Sequence, residues 1–170
     1  LTLRRQARKM CRRAVRRPSP LSAGLRGHRA AGMAGKRSIV MVERVVATPV
    51  AAELIERLLV QHGPLLFHQS GGCCDGSAPM CYPQGEFHLG HQDVLLGEIV
   101  GCPFYMSAFQ FDYWRNTHLT IDVVEGRGSS FSVEAPEGVR FLTRSRLFTD
   151  DELAALEAAG EPPRADELTG

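Results

Sequence analysis

The sequence predicts an α+β fold: a single domain with a mostly antiparallel or mixed sheet of short strands and a helix near each end. Two segments with helical spacing, near residues 50 and 150, enclose a series of short apolar or alternating segments. One short helical segment interrupts that series. A doubly wound parallel sheet requires strands that alternate regularly with long helices, so the pattern favours an α+β arrangement.

The first helix is bounded by residues that are typical of helix ends. Thr48 is suited to the N-cap, Pro49 to the first helical position and Gly63 to the C-terminal end. The apolar residues between them recur at helical spacing and are Val50, Leu54, Ile55, Leu58 and Leu59. Charged residues occupy the other side, which predicts a helix docked on a sheet.

The middle of the chain predicts short strands, because apolar runs are bounded there by glycine, proline and polar residues. These strands span residues 64–69, 94–100, 103–106, 118–125, 130–133 and 139–143. A short helix is predicted over 107–115, with Ser107 as its cap. The stretch from Ser70 to Pro83 is predicted to be a loop. Thr149 is suited to cap the final helix and Gly160 to end it.

Positive charge is concentrated at the N-terminus. Residues 1–38 hold twelve of the twenty Lys and Arg residues and no acidic residue, whereas the remainder has a formal charge near −11. Blocks of one sign are typical of disordered tails, so we expect a basic disordered arm over residues 1–40. An upstream translation artefact would also explain this arm, since Met33 is a suitable start. The domain is then expected over 41–160, with a frayed tail over 161–170.

Several classes of function lose support at this point. Without the arm the chain is acidic, so nucleic acid is not an expected partner. No uncharged apolar stretch is long enough to span a bilayer, which favours a cytoplasmic protein without a membrane partner. Gly126-Arg127-Gly128 imitates a dinucleotide fingerprint but lacks the third glycine and precedes a strand pattern. Exposed strand edges would allow a homodimer.

The segment with most chemical potential is a glycine-rich stretch in which Cys73, Cys74 and Cys81 lie within nine residues. Clustered cysteines in a cytoplasmic chain indicate metal or redox chemistry more often than a disulfide scaffold. Thiolates are soft donors for Zn²⁺ or iron, so these three residues predict a zinc or iron–sulfur centre. Adjacent side chains diverge in extended backbone, so one of Cys73 and Cys74 is expected to join Cys81. The candidates for completing the set are Cys102, His68, His88 and His91.

Two other interpretations of these cysteines stay open. In one, a reactive thiol serves as a redox switch or as a catalytic nucleophile, and this interpretation includes a disulfide of Cys73 with Cys74 or with Cys81. In the other, the thiols are small buried apolar side chains in a tight turn, and the domain acts through a protein partner.

Three segments together resemble a known bacterial family. They are Gly71-Gly72-Cys73-Cys74-Asp75-Gly76-Ser77-Ala78-Pro79-Met80-Cys81, Asp112-Tyr113-Trp114 and Gly126-Arg127-Gly128-Ser129-Ser130-Phe131-Ser132-Val133-Glu134. This pattern is similar to domain-of-unknown-function family 779, over about residues 45 to 150. The family has no settled activity. Its members are often encoded beside aldehyde dehydrogenases, which implies an accessory role in aldehyde oxidation and an aldehyde dehydrogenase as a partner.

The order of these segments also resembles the layout of HesB-like A-type iron–sulfur carriers. In that family a cysteine in the first glycine-rich loop acts with a Cys-Gly-Cys near the C-terminus. Cys73 falls on the first of these positions, whereas no cysteine follows Cys102. A centre in this chain would therefore need a different set of ligands, such as Cys73 or Cys74 with Cys81.

Overall fold

The computed structural model describes residues 41–71, 77–128 and 131–168, so the predicted basic arm over 1–40 lies outside the described residues. The elements in chain order are β1 Val45–Ala47, α1 Pro49–His62, β2 Leu65–Gln69, β3 Met80–Pro83, β4 Val94–Ile99, β5 Cys102–Met106, α2 Ala108–Trp114, β6 Thr117–Glu125, a 3₁₀ turn Ala135–Glu137, β7 Val139–Leu147, α3 Asp150–Ala159 and α4 Ala165–Leu168. None of these helices has the length and apolar character needed to cross a membrane.

The described strands form two mixed sheets. In the three-stranded sheet the order is β1-β6-β7, with β1 parallel and β7 antiparallel to the central β6. In the four-stranded sheet the order is β3-β2-β5-β4. There β2 pairs antiparallel with β3 and parallel with β5, and β4 pairs antiparallel with β5. The predicted α+β class with a mixed sheet of short strands is confirmed.

Helix α1 begins and ends as predicted. Thr48 Oγ1 accepts the backbone N–H of Ala51 at 3.2 Å, and Gly63 follows the last turn with φ 77°. The buried residues of the helix are Ala51, Leu54, Ile55 and Leu58. The prediction that Val50 belongs to this stripe is wrong, since its side chain is 61% exposed. At 100° per residue Val50 lies about 90° from the centre of the buried stripe.

Three phenylalanine rings join the two sheets in the core. Phe67 in β2, Phe104 in β5 and Phe141 in β7 are all fully buried. The ring of Phe67 is stacked on Phe104 at 6.0 Å between centroids and meets Phe141 edge-to-face at 5.0 Å. Because Phe141 belongs to the other sheet, Phe67 links the sheets through aromatic contacts worth about 0.5–1.5 kcal/mol each beyond their burial.

The prediction of a strand over Ser130–Val133 is wrong for the described residues of this segment, which form a turn. Val133 donates its backbone N–H to the carbonyl of Cys81 at 3.1 Å, and Ser132 Oγ accepts the backbone N–H of Cys81 at 2.8 Å. The hydrogen bonds of Ser132 and Val133 with the backbone of Cys81 attach this turn to β3, where a strand would have formed a continuous ladder. Strand β3 itself lies inside the predicted loop, and the three-residue β1 lies outside every predicted element.

The C-terminal tail, predicted to fray, is attached to the sheet through its described residues. Leu95 donates its backbone N–H to the carbonyl of Pro163 at 2.9 Å, and Ala165 donates to the carbonyl of Asp93 at 2.8 Å. Arg164 also forms an isolated antiparallel bridge with Val94. Strand β4 is an edge strand whose backbone groups need partners, and the tail provides them.

Candidate functional site

Of the four cysteines in the predicted domain, Cys81 and Cys102 lie among the described residues and Cys73 and Cys74 lie outside them. Cys81 and Cys102 are free thiols, and both side chains are fully buried. The pKa of each thiol is raised above its ordinary value, chiefly because burial disfavours the thiolate. Both are therefore neutral thiols in this structure.

Strand alternation separates Cys81 from the candidate ligand His68. Cys81 is the cross-strand partner of Phe67 and lies on the inner face of the four-stranded sheet. His68 follows Phe67 directly in β2, so its side chain lies on the outer face. One metal ion cannot bind both side chains, because the sheet itself lies between them.

Cys102 is on the same face as Cys81 but too far along the sheet to share an ion with it. Cys81 is opposite Phe67, which is opposite Phe104, and Cys102 lies two residues before Phe104 in β5. Strand β2 therefore lies between the two thiols. Two strand spacings amount to about 10 Å, whereas thiolates on one tetrahedral Zn²⁺ lie about 4 Å apart.

The remaining candidates, His88 and His91, are exposed on the outer face, at the rim of a cavity. Within the described ranges, no group of three or more His, Cys, Asp or Glu side chains is placed to hold a metal ion. None of Cys102, His68, His88 and His91 is therefore placed to share an ion with Cys81. A centre that includes Cys81 requires ligands other than these four.

The structure brings five buried side chains together where the two sheets meet, and we call them the junction cluster. Its members are Gln69, Cys81, Ser132, Glu134 and Thr143. Each is at most 3% exposed. Buried polar groups are costly unless they have hydrogen-bond partners. Because several of them are concentrated here, we take this position as the candidate site.

One half of the junction cluster is a chain of hydrogen bonds from Cys81 to a carboxylate. The backbone N–H of Cys81 donates to Ser132 Oγ, and the hydroxyl of Ser132 donates to Glu134 Oε2. The carboxylate of Glu134 also accepts its own backbone N–H and that of Phe141. Glu134 is thus held beside Cys81 by three donors.

The other half connects the sheets and the ends of the cysteine-rich segment. Thr143 Oγ1 donates to Gln69 Oε1 at 3.3 Å, which links β7 to β2. Gln69 Nε2 donates to the carbonyl of Gly71, and the backbone N–H of Thr143 donates to the carbonyl of Ser77 at 2.7 Å. The residues on both sides of 72–76 are therefore attached to the junction cluster.

Glu134 has no basic partner in the described part of the chain. Five ion pairs occur among the described residues, and Glu134 belongs to none of them. Burial raises the pKa of Glu134, although its hydrogen bonds with Ser132 and the backbone oppose this shift. Glu134 in turn raises the pKa of the Cys81 thiol further, after the larger effect of burial.

Gly128 allows this carboxylate to lie against the neighbouring turn. A Cβ atom at residue 128 would lie 3.2 Å from Glu134 Oε1 and 3.2 Å from the Cβ of Arg140. Contacts this short are rare for real side chains, so any larger residue would displace the carboxylate or β7. Gly128 thereby sets the position of Glu134.

Sequence reasoning missed Glu134 as a site residue. It lies 53 positions from Cys81, and no regular spacing connects the two. The one available signal was the stretch from Gly126 to Glu134, which contributes to the family resemblance. Gln69 and Thr143 resemble ordinary strand residues in the sequence and are identified only by their burial and hydrogen bonds.

The fold and the junction cluster define a small α+β domain with a buried polar site where its two sheets meet. The chain belongs to the family described as Domain of unknown function (DUF779), which matches residues 54–147. The matched region extends from α1 to the end of β7 and includes every member of the junction cluster. No curated protein matches the sequence.

Proposed function

We propose that the junction cluster binds a divalent metal ion of the zinc type, with the Cys81 thiolate and the Glu134 carboxylate as two ligands. One of Cys73 and Cys74 would supply a further thiolate ligand. The observation that carries this proposal is the fully buried carboxylate of Glu134, which has no basic partner among the described residues. A buried charge without a partner is strongly disfavoured, and a bound cation would neutralise it.

The types of ligand favour zinc over the other common ions. Mg²⁺ and Ca²⁺ prefer an entirely oxygen environment, whereas a thiolate beside a carboxylate suits Zn²⁺. Iron–sulfur clusters are usually held by four cysteines, and Glu134 would replace one of them here. An iron–sulfur centre therefore has less support than a mononuclear ion, and the absorption spectrum of the purified protein distinguishes the two.

The attachment of the cysteine-rich segment supports the same position. The carbonyls of Gly71 and Ser77 are both hydrogen-bonded to members of the junction cluster. Cys73 follows Gly71 by two residues and Cys74 precedes Ser77 by three. The segment that contains both cysteines therefore connects two residues that are attached to the junction cluster.

The alternative use of Cys81 as an activated thiol has less support. A redox or nucleophilic cysteine is accessible and has a lowered pKa. Burial instead raises the pKa of Cys81 and of Cys102, and neither side chain is accessible to solvent. Metal binding would displace the proton of Cys81, so we expect the affinity to increase with pH.

Elemental analysis of protein purified without oxygen tests the proposal, together with the spectrum after Co²⁺ substitution. We expect about one metal ion per chain and thiolate-to-cobalt absorption in the wild type. Cys81→Ala should lose both, and Glu134→Gln should weaken binding at least tenfold while it keeps thiolate absorption. Cys102→Ala is the matched control, since it removes an equally buried thiol two strands away and should bind like the wild type.

Two results would overturn the proposal. One is a folded, anaerobically purified wild type that contains no stoichiometric metal and does not take up Zn²⁺ or Co²⁺. The other is retention of wild-type affinity by both Cys81→Ala and Glu134→Gln. Thermal unfolding of each variant shows whether it is folded, so that loss of structure is not mistaken for loss of a ligand.

A further inference from the structure

The outer face of the four-stranded sheet carries a cavity that the junction cluster does not use. Its floor consists of Leu66 from β2 and of Pro103 and Tyr105 from β5. These residues alternate with Phe67 and Phe104, so they lie on the face opposite Cys81. The cavity volume is about 510 Å³. Small-molecule sites commonly have volumes of about 300–1,000 Å³.

The aromatic ring of Phe87 forms one wall of this cavity and packs against the rings of neighbouring residues. Phe87 lines the cavity, and its ring is stacked on Tyr82 with 4.6 Å between centroids and 17° between planes. On another side the ring lies 4.6 Å from that of the buried His68. Contacts with two rings from two strands position Phe87, although it belongs to an irregular segment.

The opposite wall of the cavity is formed by the C-terminal tail. The buried residue Asp93 makes hydrogen bonds on both sides of the cavity. Asp93 Oδ2 accepts from the backbone N–H of Gly90 at 2.8 Å and is 2.9 Å from His68 Nε2. The backbone carbonyl of Asp93 accepts the N–H of Ala165, which lines the cavity on the tail side. The cavity is therefore built by specific contacts, and two chain segments remote in sequence meet at Asp93.

The chemistry of the lining selects the kind of ligand. The largest apolar and aromatic members of the lining are Leu66, Phe87 and Tyr105. Asp166 from the tail adds a carboxylate, which disfavours a negatively charged ligand. His88 and His91 lie at the exposed rim, where an imidazole can donate or accept one hydrogen bond. No Lys or Arg lines the described cavity, so nothing there would neutralise a buried anion.

We propose that this cavity is a binding site for a small aromatic compound with one polar group and no negative charge. The ring of the ligand would lie between Phe87 and the floor, and its polar group would face His88 and His91. This site is on the other side of the sheet from the junction cluster and requires no metal. Its test is therefore independent of the proposed function.

Titration of the ¹⁵N-labelled full chain with indole tests this proposal by NMR. We expect saturable shifts centred on the amides of Leu66, Phe87, Tyr105 and Ala165, in the wild type and equally in Cys81→Ala. Indole-3-carboxylate has the same ring system with a negative charge, and it should bind at least tenfold more weakly, because Asp166 lines the cavity and no Lys or Arg does. Shifts scattered over the surface, or equal binding of the anionic analogue, would overturn the proposal.

Two variants change the cavity in opposite ways. Phe87→Ala removes a wall, and Ala165→Leu places a larger side chain in the cavity, so each should weaken indole binding at least tenfold. Phe109→Ala is the matched control, because Phe109 is 67% exposed on α2 and should leave the affinity within twofold of the wild type. If both cavity variants bind indole like the wild type, the assignment of this site is wrong. Ala165→Leu decides the question should Phe87→Ala fail to fold.

Discussion

Replacing Asp93 with alanine should destabilise the domain more than any other change of a single acidic residue on the outer face. The carboxylate of Asp93 is only 12% exposed and faces His68 Nε2 and the N–H of Gly90 within hydrogen-bond distance. His68 Nδ1 is buried and has no partner among the described residues. Asp93→Ala would therefore leave both ring nitrogens of a buried histidine without a partner.

The magnitude follows from these contacts. Hydrogen bonds to a charged group are worth about 1.5–3 kcal/mol each, and a buried polar atom left without a partner costs about 1–3 kcal/mol. Partial relaxation reduces the sum, so we expect a loss of about 3–4 kcal/mol from the free energy of unfolding. The free energy of unfolding of a small domain is about 5–15 kcal/mol in total. The variant should therefore remain folded, with a melting temperature lower by about 10–15 °C.

Urea denaturation at neutral pH, followed by circular dichroism, measures this loss. Asp112→Ala is the matched control, since Asp112 is exposed on α2 and should change the free energy of unfolding by no more than about 0.5 kcal/mol. A loss below 1 kcal/mol for Asp93→Ala would refute the reasoning. It would mean that the pair of His68 and Asp93 does not hold the segment 84–93 or the tail.

Four further predictions concern other parts of the molecule. Val100 has φ 52° in the turn before Gly101, which is unfavourable for a β-branched residue, so Val100→Asn should raise the free energy of unfolding by about 0.5–1 kcal/mol in urea titrations; a decrease would contradict this. Iodoacetamide should label Cys81 and Cys102 in the native protein at least a thousandfold more slowly than in urea, and rapid native labelling detected by mass spectrometry would show that the thiols are accessible. Because the folded pKa of Glu134 is raised, its contribution to the stability of the metal-free protein is most favourable below its unfolded pKa and decreases as the pH rises towards the folded pKa. The free energy of unfolding of the wild type, relative to that of Glu134→Gln, should therefore decrease as the pH rises from 4 to 8. An increase over this range would contradict the prediction. Finally, the resemblance predicts that a tagged wild-type chain co-purifies with an aldehyde dehydrogenase, and purification of the two proteins as separate species would argue against that partner.

Sequence patterns predicted the elements whose signals are local. The caps Thr48, Ser107 and Thr149 each accept a backbone N–H of the helix that they begin. The alternation around Ile121 correctly predicted β6, although the strand begins one residue earlier than expected. Such signals depend on a residue and its near neighbours, so they can be recognised without knowledge of the fold.

Elements that depend on distant partners were not predictable in this way. Strand β3 forms because β2 offers it hydrogen bonds, and the tail is ordered around Ala165 because β4 has a free edge. Ser132 and Glu134 lie in a turn because their polar atoms bind β3 and β7. The expectations of a cytoplasmic location and a homodimer remain predictions, as does the role of Cys73 and Cys74.

The class of fold, the helix ends and the concentration of thiols in one glycine-rich segment follow from local chemistry, so they could be recognised in the amino-acid sequence. Which side chains share a site depends on the tertiary structure. His68 and Cys81 lie on opposite faces of the sheet because side chains alternate along a strand. Glu134 lies close to Cys81 although 53 positions separate the two residues in the sequence. The physical reason is that the face of a sheet on which a side chain lies, and the partner that it meets there, depend on strand pairing.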